Sequence, residues 1–275
     1  MKKRMLSLAL AVGMTLTTLT GCGSSTGASS SEGADGSATA ADPVTTAAEQ
    51  LLKHSDTAGK EETVYVIADA NGKANKVIVS EWLKNQKGSD TLKDQSNLKD
   101  VKNVKGDQDF TKGSGDELTW NAKGSDIYYQ GTSDKQLPVD VTVTYKLNGK
   151  TVSAKDLDGA SGKLTMEFTY KNNTGKTKKV NGKNVTIYQP FLMVSGLLVD
   201  NDKMSNVEGT NGKVINSGDK TVVVGMALPG LEESLGLADL TDSDGKKIDI
   251  DVPQKVTIKA DVSDFSLLTT VTMAS

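Results

Sequence analysis

The chain has 275 residues, enough for one large domain or two smaller ones, and a formal net charge of −3. Its only arginine is Arg4, so the chain beyond that position has no guanidinium group to bind phosphate or guanine through two hydrogen bonds, which argues against nucleic acid as a partner. Cys22 is its only cysteine and His54 its only histidine, which excludes disulfides and, within the β-rich part, a Ser-His-Asp triad or a histidine zinc site. We therefore expect no enzyme, no catalytic residues and no cofactor.

The first 22 residues are typical of a bacterial lipoprotein. Lys2, Lys3 and Arg4 precede an apolar run of about fifteen residues, a length that suits a signal peptide and is too short for a transmembrane helix. The run ends at Leu19-Thr20-Gly21-Cys22, the pattern that precedes lipidation of a cysteine. We predict that residues 1–21 are removed and that Cys22 carries acyl chains such as palmitate, which anchor the protein outside the cytoplasmic membrane. Losing three positive charges moves the formal charge from −3 to −6.

Residues 22–41 are rich in Gly, Ser, Ala and Thr, a composition typical of a flexible tether. Asp42-Pro43 then begins a short stretch, within residues 42–59, in which Val44, Leu51 and Leu52 recur at helical spacing. The spacing predicts a short N-terminal helix over residues 43–54. Its apolar stripe either packs on the folded domain or lies on the membrane.

From residue 60 onward the hydrophobic period changes to two, and four Asn-Gly pairs divide the chain: Asn71-Gly72, Asn148-Gly149, Asn181-Gly182 and Asn211-Gly212. These features predict a mainly β fold of antiparallel, sandwich-like sheets joined by hairpins, with a β-rich subdomain at 60–135 and a β-sandwich-like domain at 136–275. Residues 64–68, 77–79 and 222–228 are continuously apolar and predict strands buried on both faces. Leu92, Leu98, Val101 and Val104 could instead lie on one side of a short helix.

Five aspartates near the C-terminus form the acidic cluster that most strongly suggests a metal, and Asp200-Asn201-Asp202 is a similar, weaker case. Asp239, Asp242, Asp244, Asp249 and Asp251 surround Gly245, which could supply a tight turn among oxygen ligands for calcium. The order of an EF-hand loop is not met, so the interpretation that we favour is a solvated hairpin loop without metal.

Several strings of residues resemble a known type of envelope protein. The chain is similar, over about residues 60–275, to the extracytoplasmic β domain of uncharacterised clostridial membrane proteins of the phage-infection-protein type, which carry heptad repeats. The strings are Tyr65-Val66-Ile67-Ala68-Asp69-Ala70, Lys76-Val77-Ile78-Val79-Ser80-Glu81-Trp82-Leu83, Asp126-Ile127-Tyr128-Tyr129-Gln130-Gly131, Ser161-Gly162-Lys163 and Leu228-Pro229-Gly230-Leu231. The resemblance implies a Gram-positive cell envelope and no particular reaction. Members of that group continue into coiled-coil and membrane segments, so this chain, which stops at Ser275, is expected to be either a stand-alone lipoprotein version or the product of a truncated gene.

The resulting functional hypothesis is a non-catalytic lipoprotein that binds another envelope or membrane protein. The alternative is a cell-wall glycan-binding module or hydrolase, which requires Trp82, Trp120, Tyr128 or Tyr129 to line an exposed groove beside two carboxylates. A solute-binding subunit of an importer is less favoured, because such proteins alternate strands with long helices.

Overall fold

The computed structural model describes residues 8–14, 59–180, 182–266 and 268–275 of the chain. The protein is mainly β, with several antiparallel sheets, as the period of two predicts. The predicted tether and the N-terminal helix lie outside the described residues.

Nineteen strands and three short helical segments make up the described part. The strands are β1 (Leu8–Met14), β2 (Lys60–Ala68), β3 (Ala74–Leu83), β4 (Thr91–Gln95), β5 (Lys99–Asn103), β6 (Phe110–Lys112), β7 (Glu117–Asn121), β8 (Ile127–Thr132), β9 (Val139–Leu147), β10 (Lys150–Val152), β11 (Gly162–Asn172), β12 (Lys176–Val180), β13 (Lys183–Ile187), β14 (Met193–Asp200), β15 (Met204–Gly209), β16 (Gly212–Ser217), β17 (Lys220–Ala227), β18 (Lys255–Val262) and β19 (Thr270–Ala274). The helical segments are the α-helix α1 (Leu231–Leu235) and 3-10 turns at Ala154–Leu157 and Leu237–Asp239.

Two large sheets form a sandwich. The first has nine strands in the order β16-β17-β14-β19-β1-β2-β3-β8-β5, and the second has five in the order β10-β9-β11-β18-β15. Alternate residues of each strand turn inward, as in β11, where Leu164, Met166 and Phe168 are almost completely buried. The inward residues of both sheets join in one apolar core.

A third, three-stranded sheet, β4-β7-β6, covers one end of the nine-stranded sheet. It buries Leu118 and Trp120 against Leu83, Ile127 and Tyr129 of β3 and β8. We call this small sheet, together with the ends of β3 and β8 that it covers, the flanking layer. The remaining pair, β12-β13, is a separate hairpin that α1 contacts.

The predicted subdomains share one core. Val64, Val66 and Val79 come from residues 60–135, and they pack with buried residues from 136–275. The turn between β2 and β3 also docks on β9, where Val143 N donates to Asn71 O at 2.9 Å and Asn71 Nδ2 donates to Val143 O at 3.3 Å. Gly72 fits this contact because its φ is +88° and an added Cβ would lie 2.3 Å from Val141 O.

Two of the four Asn-Gly pairs lie in hairpins as predicted, between β2 and β3 and between β9 and β10. Strands β12 and β13 also pair antiparallel in adjacent positions of the chain, but Asn181 of the third pair lies outside the described residues. Asn148 and Gly149 have φ values of 51° and 79°, the left-handed pair that a tight hairpin requires. The hairpin prediction is wrong for Asn211-Gly212, because β15 belongs to the five-stranded sheet and β16 to the nine-stranded one. This pair instead lies where the chain crosses between the sheets.

The structure also decides against the helix considered for residues 92–104 and against the prediction that two apolar strands are buried on both faces. Residues 92–104 are not a helix but β4 and β5, which pair with the distant strands β7 and β8. Residues 64–68 are buried on one face only, since Tyr65 is 43% exposed, and in residues 222–228 the side chain of Met226 is 45% exposed. Strands β2 and β17 carry apolar residues on both faces, but one face of the sheet is exposed to solvent along part of their length.

Strand β1 belongs to the segment that we predict to be a signal peptide. In the structure of the whole chain it lies between β19, which it pairs with in parallel, and β2, which it pairs with antiparallel. Cleavage after Gly21 stays a prediction.

Candidate interaction surface

The nine-stranded sheet has one face on the core and one face turned away from the five-stranded sheet, which we call the outer face. Strand register aligns two rows of mostly apolar residues across the middle of the outer face. One row contains Met226, Val194, Met273, Tyr65 and Ile78, and the other contains Val224, Gly196, Val271, Ile67 and Lys76. The backbone of β1 lies between β19 and β2 in both rows.

The outer face exposes large apolar side chains on neighbouring strands. Leu198 of β14 is 52% exposed, Met226 of β17 45% and Val271 of β19 42%, and these three strands are adjacent in the sheet. Tyr65, which is 43% exposed, lies on β2, on the other side of β1. Single exposed apolar side chains are ordinary, but a contiguous group usually marks a contact surface. Asp200 and Lys220, which pair at 2.9 Å, form part of its polar rim.

The opposite side of the sandwich provides an internal comparison. The solvent-facing positions of β9 and β11 are polar and include Thr142, Thr144, Lys146, Glu167 and Thr169. Because both sheets belong to the same sandwich, the apolar outer face is not a general property of this fold. It is specific to the nine-stranded sheet.

The four aromatic residues of the glycan hypothesis separate into two pairs. Trp120 and Tyr129 are fully buried and stack at 5.1 Å between ring centroids, so neither lines an exposed groove. Trp82 and Tyr128 are half-buried and stack at 5.4 Å on the outer face. Trp82 Nε1 donates to Asp126 Oδ2 at 2.9 Å.

Lysines cover part of this second aromatic pair. Lys84 Nζ lies 4.6 Å from the centroid of Trp82, and Lys105 Nζ lies 4.3 Å from that of Tyr128. These cations are at cation–π distance, and Lys84 also pairs with Glu61. The arrangement leaves only part of each ring for stacking on a sugar.

A cluster of charged residues that sequence reasoning missed lies between β2, β3 and the flanking layer. Lys60 Nζ is 3.1 Å from both Glu81 Oε1 and Asp94 Oδ2, and Tyr129 donates to Asp94 at 2.5 Å. Burial raises the pKa of Glu81 to about 8 despite the attraction of Lys60, and nearby Glu62 raises it further. Burial, with the hydrogen bond to Asp94, also raises the pKa of Tyr129.

The ammonium group of Lys60 contacts two carboxyl groups, those of Glu81 and Asp94. Burial lowers the pKa of Lys60, but Glu81 and Asp94 together raise it above its usual value. Near neutral pH we place a proton on Glu81, because burial is the largest influence on its carboxyl group and raises its pKa to about 8. One signal in the sequence could have indicated that the Glu81 side chain points into the protein. Glu81 is two positions before Leu83 in β3, and alternate residues of a strand lie on the same face.

The five aspartates of the calcium hypothesis are exposed and are not brought together. Within residues 8–14, 59–180, 182–266 and 268–275, no group of three or more His, Cys, Asp or Glu side chains is arranged to hold a metal ion. Asp242 Oδ1 accepts hydrogen bonds from the backbone N–H groups of Asp244 at 3.0 Å and Lys246 at 2.8 Å. These bonds give Asp242 a structural role in its own turn.

No protein-family model, curated protein or solved structure matches this chain. The resemblance to the phage-infection-protein type therefore stays a prediction. Among the described residues, no helix has both the length and the apolar character needed to cross a bilayer.

Proposed function

We propose that the chain is a non-catalytic cell-envelope lipoprotein, anchored through Cys22, whose β domain binds another protein at the outer side of the cytoplasmic membrane. The observation that carries this proposal is the apolar outer face. Burying such a face against a partner removes apolar area from water at about 25 cal/mol per Å².

Two further features support protein binding over catalysis. The charged cluster around Lys60 is packed under the flanking layer, with Glu81 only 2% exposed, so a substrate has little access to its carboxyl groups. The outer face combines aliphatic side chains with Tyr65 and Met226, and aromatic residues and methionine are enriched at protein interfaces.

The test is cross-linking in cells with the anchored protein, followed by mass spectrometry. We expect reproducible cross-links from the outer face to one membrane or envelope protein, and their loss in the double variant Leu198→Lys/Val271→Lys. The control is Thr144→Lys, which adds a lysine at an exposed position of β9 on the opposite sheet. Equal cross-linking in both variants would contradict the outer face as the binding site.

The anchor has its own test. Replacing Cys22 with Ala removes the predicted lipid attachment site, so we expect the protein to move from the membrane fraction to the soluble extracellular fraction. Retention of the Cys22→Ala protein in the membrane fraction would contradict anchoring by lipid.

A second candidate function is binding of cell-wall glycan by the half-exposed Trp82–Tyr128 pair. A sugar could stack on the exposed part of these rings beside the Asp126 carboxylate. Sedimentation with purified cell wall distinguishes the two functions: glycan binding predicts sedimentation that Trp82→Ala abolishes, whereas protein binding predicts none.

A further inference from the structure

We infer that the mature protein accepts a β-strand from a partner protein in the gap between β2 and β19. This inference deepens the proposed function and rests on it, because it needs residues 1–21 to be removed as a signal peptide. The position of β1 in the structure of the whole chain shows what such a strand would contact.

Strand β1 is bonded on both sides. It pairs with β2 along all seven of its residues, from Leu8 opposite Ala68 to Met14 opposite Glu62. It pairs with β19 along four, from Ala9 opposite Val271 to Val12 opposite Ala274. Without β1, the nine-stranded sheet becomes two four-stranded halves, β16-β17-β14-β19 and β2-β3-β8-β5, which face each other across a gap one strand wide.

The open gap has two unsatisfied backbone edges. Neighbouring strands lie about 4.8 Å apart, so β2 and β19 would be separated by about 10 Å, the room for one strand. Val64, Val66 and Ala274 beside these edges are buried when β1 is present, so its removal exposes apolar side chains as well as unpaired backbone N–H and C=O groups. Such an edge readily accepts an added strand.

Contacts to the second sheet hold the two halves apart. The turn at Asn71 and Gly72 ties the β2 half to β9. On the other side, Tyr170 of β11 donates to Ser195 at 2.5 Å, and Ser195 hydrogen-bonds Thr272 of β19 at 2.5 Å. Direct pairing of β2 with β19 would require one half to move by about 5 Å and break these contacts.

The walls of the gap define the chemistry of the incoming strand. On the core side, Val64 and Val66 of β2 require apolar residues at alternate positions, and a charge buried there would be costly. Thr270 of β19 is 3% exposed, and its hydroxyl has no hydrogen-bond partner among the described residues, so one hydroxyl or amide in the incoming strand could pair with it. The partner is therefore an extended, uncharged segment of about seven residues with alternating apolar side chains, running parallel to β19 and antiparallel to β2.

The experiment uses the mature lipoprotein, isolated from membranes in mild detergent, and a synthetic peptide with the sequence of residues 8–14 flanked by lysines. Amide hydrogen exchange is measured with and without the peptide. We expect the peptide to slow exchange in β2 and β19 and to leave β9 unchanged. A peptide carrying Ala11→Pro lacks one donor in mid-strand, and we expect it to bind at least tenfold more weakly.

Several results would overturn the inference. These are unchanged exchange with either peptide, or slow exchange of β2 and β19 in the peptide-free monomer, which would mean that the gap has closed. A homodimer joined through β2 and β19 would replace the partner strand with a second copy. An intact mass that includes residues 1–21 would overturn both the gap and the processing of the chain to a lipoprotein. It would not bear on protein binding by the outer face, which the Leu198→Lys/Val271→Lys variant tests separately.

Discussion

The sandwich core and the flanking layer bury their side chains by different means. The sandwich core is apolar, and its polar groups at the centre, Tyr170, Ser195 and Thr272, are neutral hydroxyls that bond one another. The flanking layer buries Trp120 beside a cluster in which Lys60 is shared between two carboxyl groups. The stability of the first region should therefore depend on volume and shape, and that of the second on charge and pH.

The largest effect is expected from a cavity in the sandwich core. Phe168 is fully buried, so Phe168→Ala should lower the free energy of unfolding by about 3–5 kcal/mol. The free energy of unfolding is measured by urea titration with circular dichroism as the signal. The control is Tyr65→Ala at an exposed position of the outer face, for which we expect a change of about 0.5 kcal/mol. Similar losses in both variants would contradict a core centred between the two sheets.

The next effect concerns the contact between the β2–β3 turn and β9. In Gly72→Ala the new Cβ would lie 2.3 Å from Val141 O at a positive φ, and we expect a loss of about 2–3 kcal/mol. Gly149→Ala is the matched control, because its φ is +79° but nothing lies within 4 Å of the added Cβ. It should cost about 1 kcal/mol from backbone strain alone. If thermal unfolding shows that Gly72→Ala and Gly149→Ala lose the same amount of stability, the turn does not depend on close contact with β9.

A smaller effect is expected in the flanking layer. Lys60→Met leaves Asp94 without its cation, and because the Lys60 side chain is 33% exposed we expect a loss of about 1–2 kcal/mol. Tryptophan fluorescence in urea follows this region through Trp120. Lys99→Met removes a well-exposed pair with Asp134 and should leave the unfolding midpoint unchanged. A midpoint shift in Lys99→Met as large as that in Lys60→Met would remove the distinction between the buried cluster and surface pairs.

A further prediction concerns how stability depends on pH. The folded-state pKa of Glu81 is about 8 against an ordinary value of 4.5, so the folded protein keeps a proton that the unfolded chain releases. The stabilisation from the proton on Glu81 is complete below pH 4.5 and declines as pH rises towards 8. It is absent at higher pH, where both states have released the proton. Urea midpoints measured across this range should fall in the natural protein and fall less in Glu81→Gln. Parallel pH profiles would contradict a protonated Glu81 in the folded state.

Local pattern accounts for much of the fold. The hydrophobic period of two beyond residue 60, which β11 shows, predicted a mainly β fold, and Asn148-Gly149 predicted a hairpin. Both succeed because side-chain period and left-handed backbone preference are properties of a few neighbouring residues. Asn211-Gly212 has the same local preference, yet it connects two sheets. Which strands pair after a turn depends on the whole core.

The candidate sites were harder to predict. Residues 64–68 are apolar on both faces, and from the sequence this pattern suggests burial on both sides, whereas the structure leaves Tyr65 exposed. Nothing local to β2 indicates whether a second layer covers that face. The cluster around Lys60 was missed for the same reason, since Lys60 and Asp94 are 34 positions apart in the chain.

By itself the sequence determined the mainly β class and the positions of the hairpin turns at Asn71-Gly72 and Asn148-Gly149, because each depends on residue type and short-range spacing. Lipid attachment at Cys22 stays a prediction. Only the tertiary structure decided that β4 and β5 are strands, that strands from the two predicted subdomains share one core, and that one sheet carries an apolar outer face while the other carries a polar one. These features arise from pairing between strands far apart in the chain, and that pairing is selected by the total burial of apolar surface and backbone hydrogen bonds.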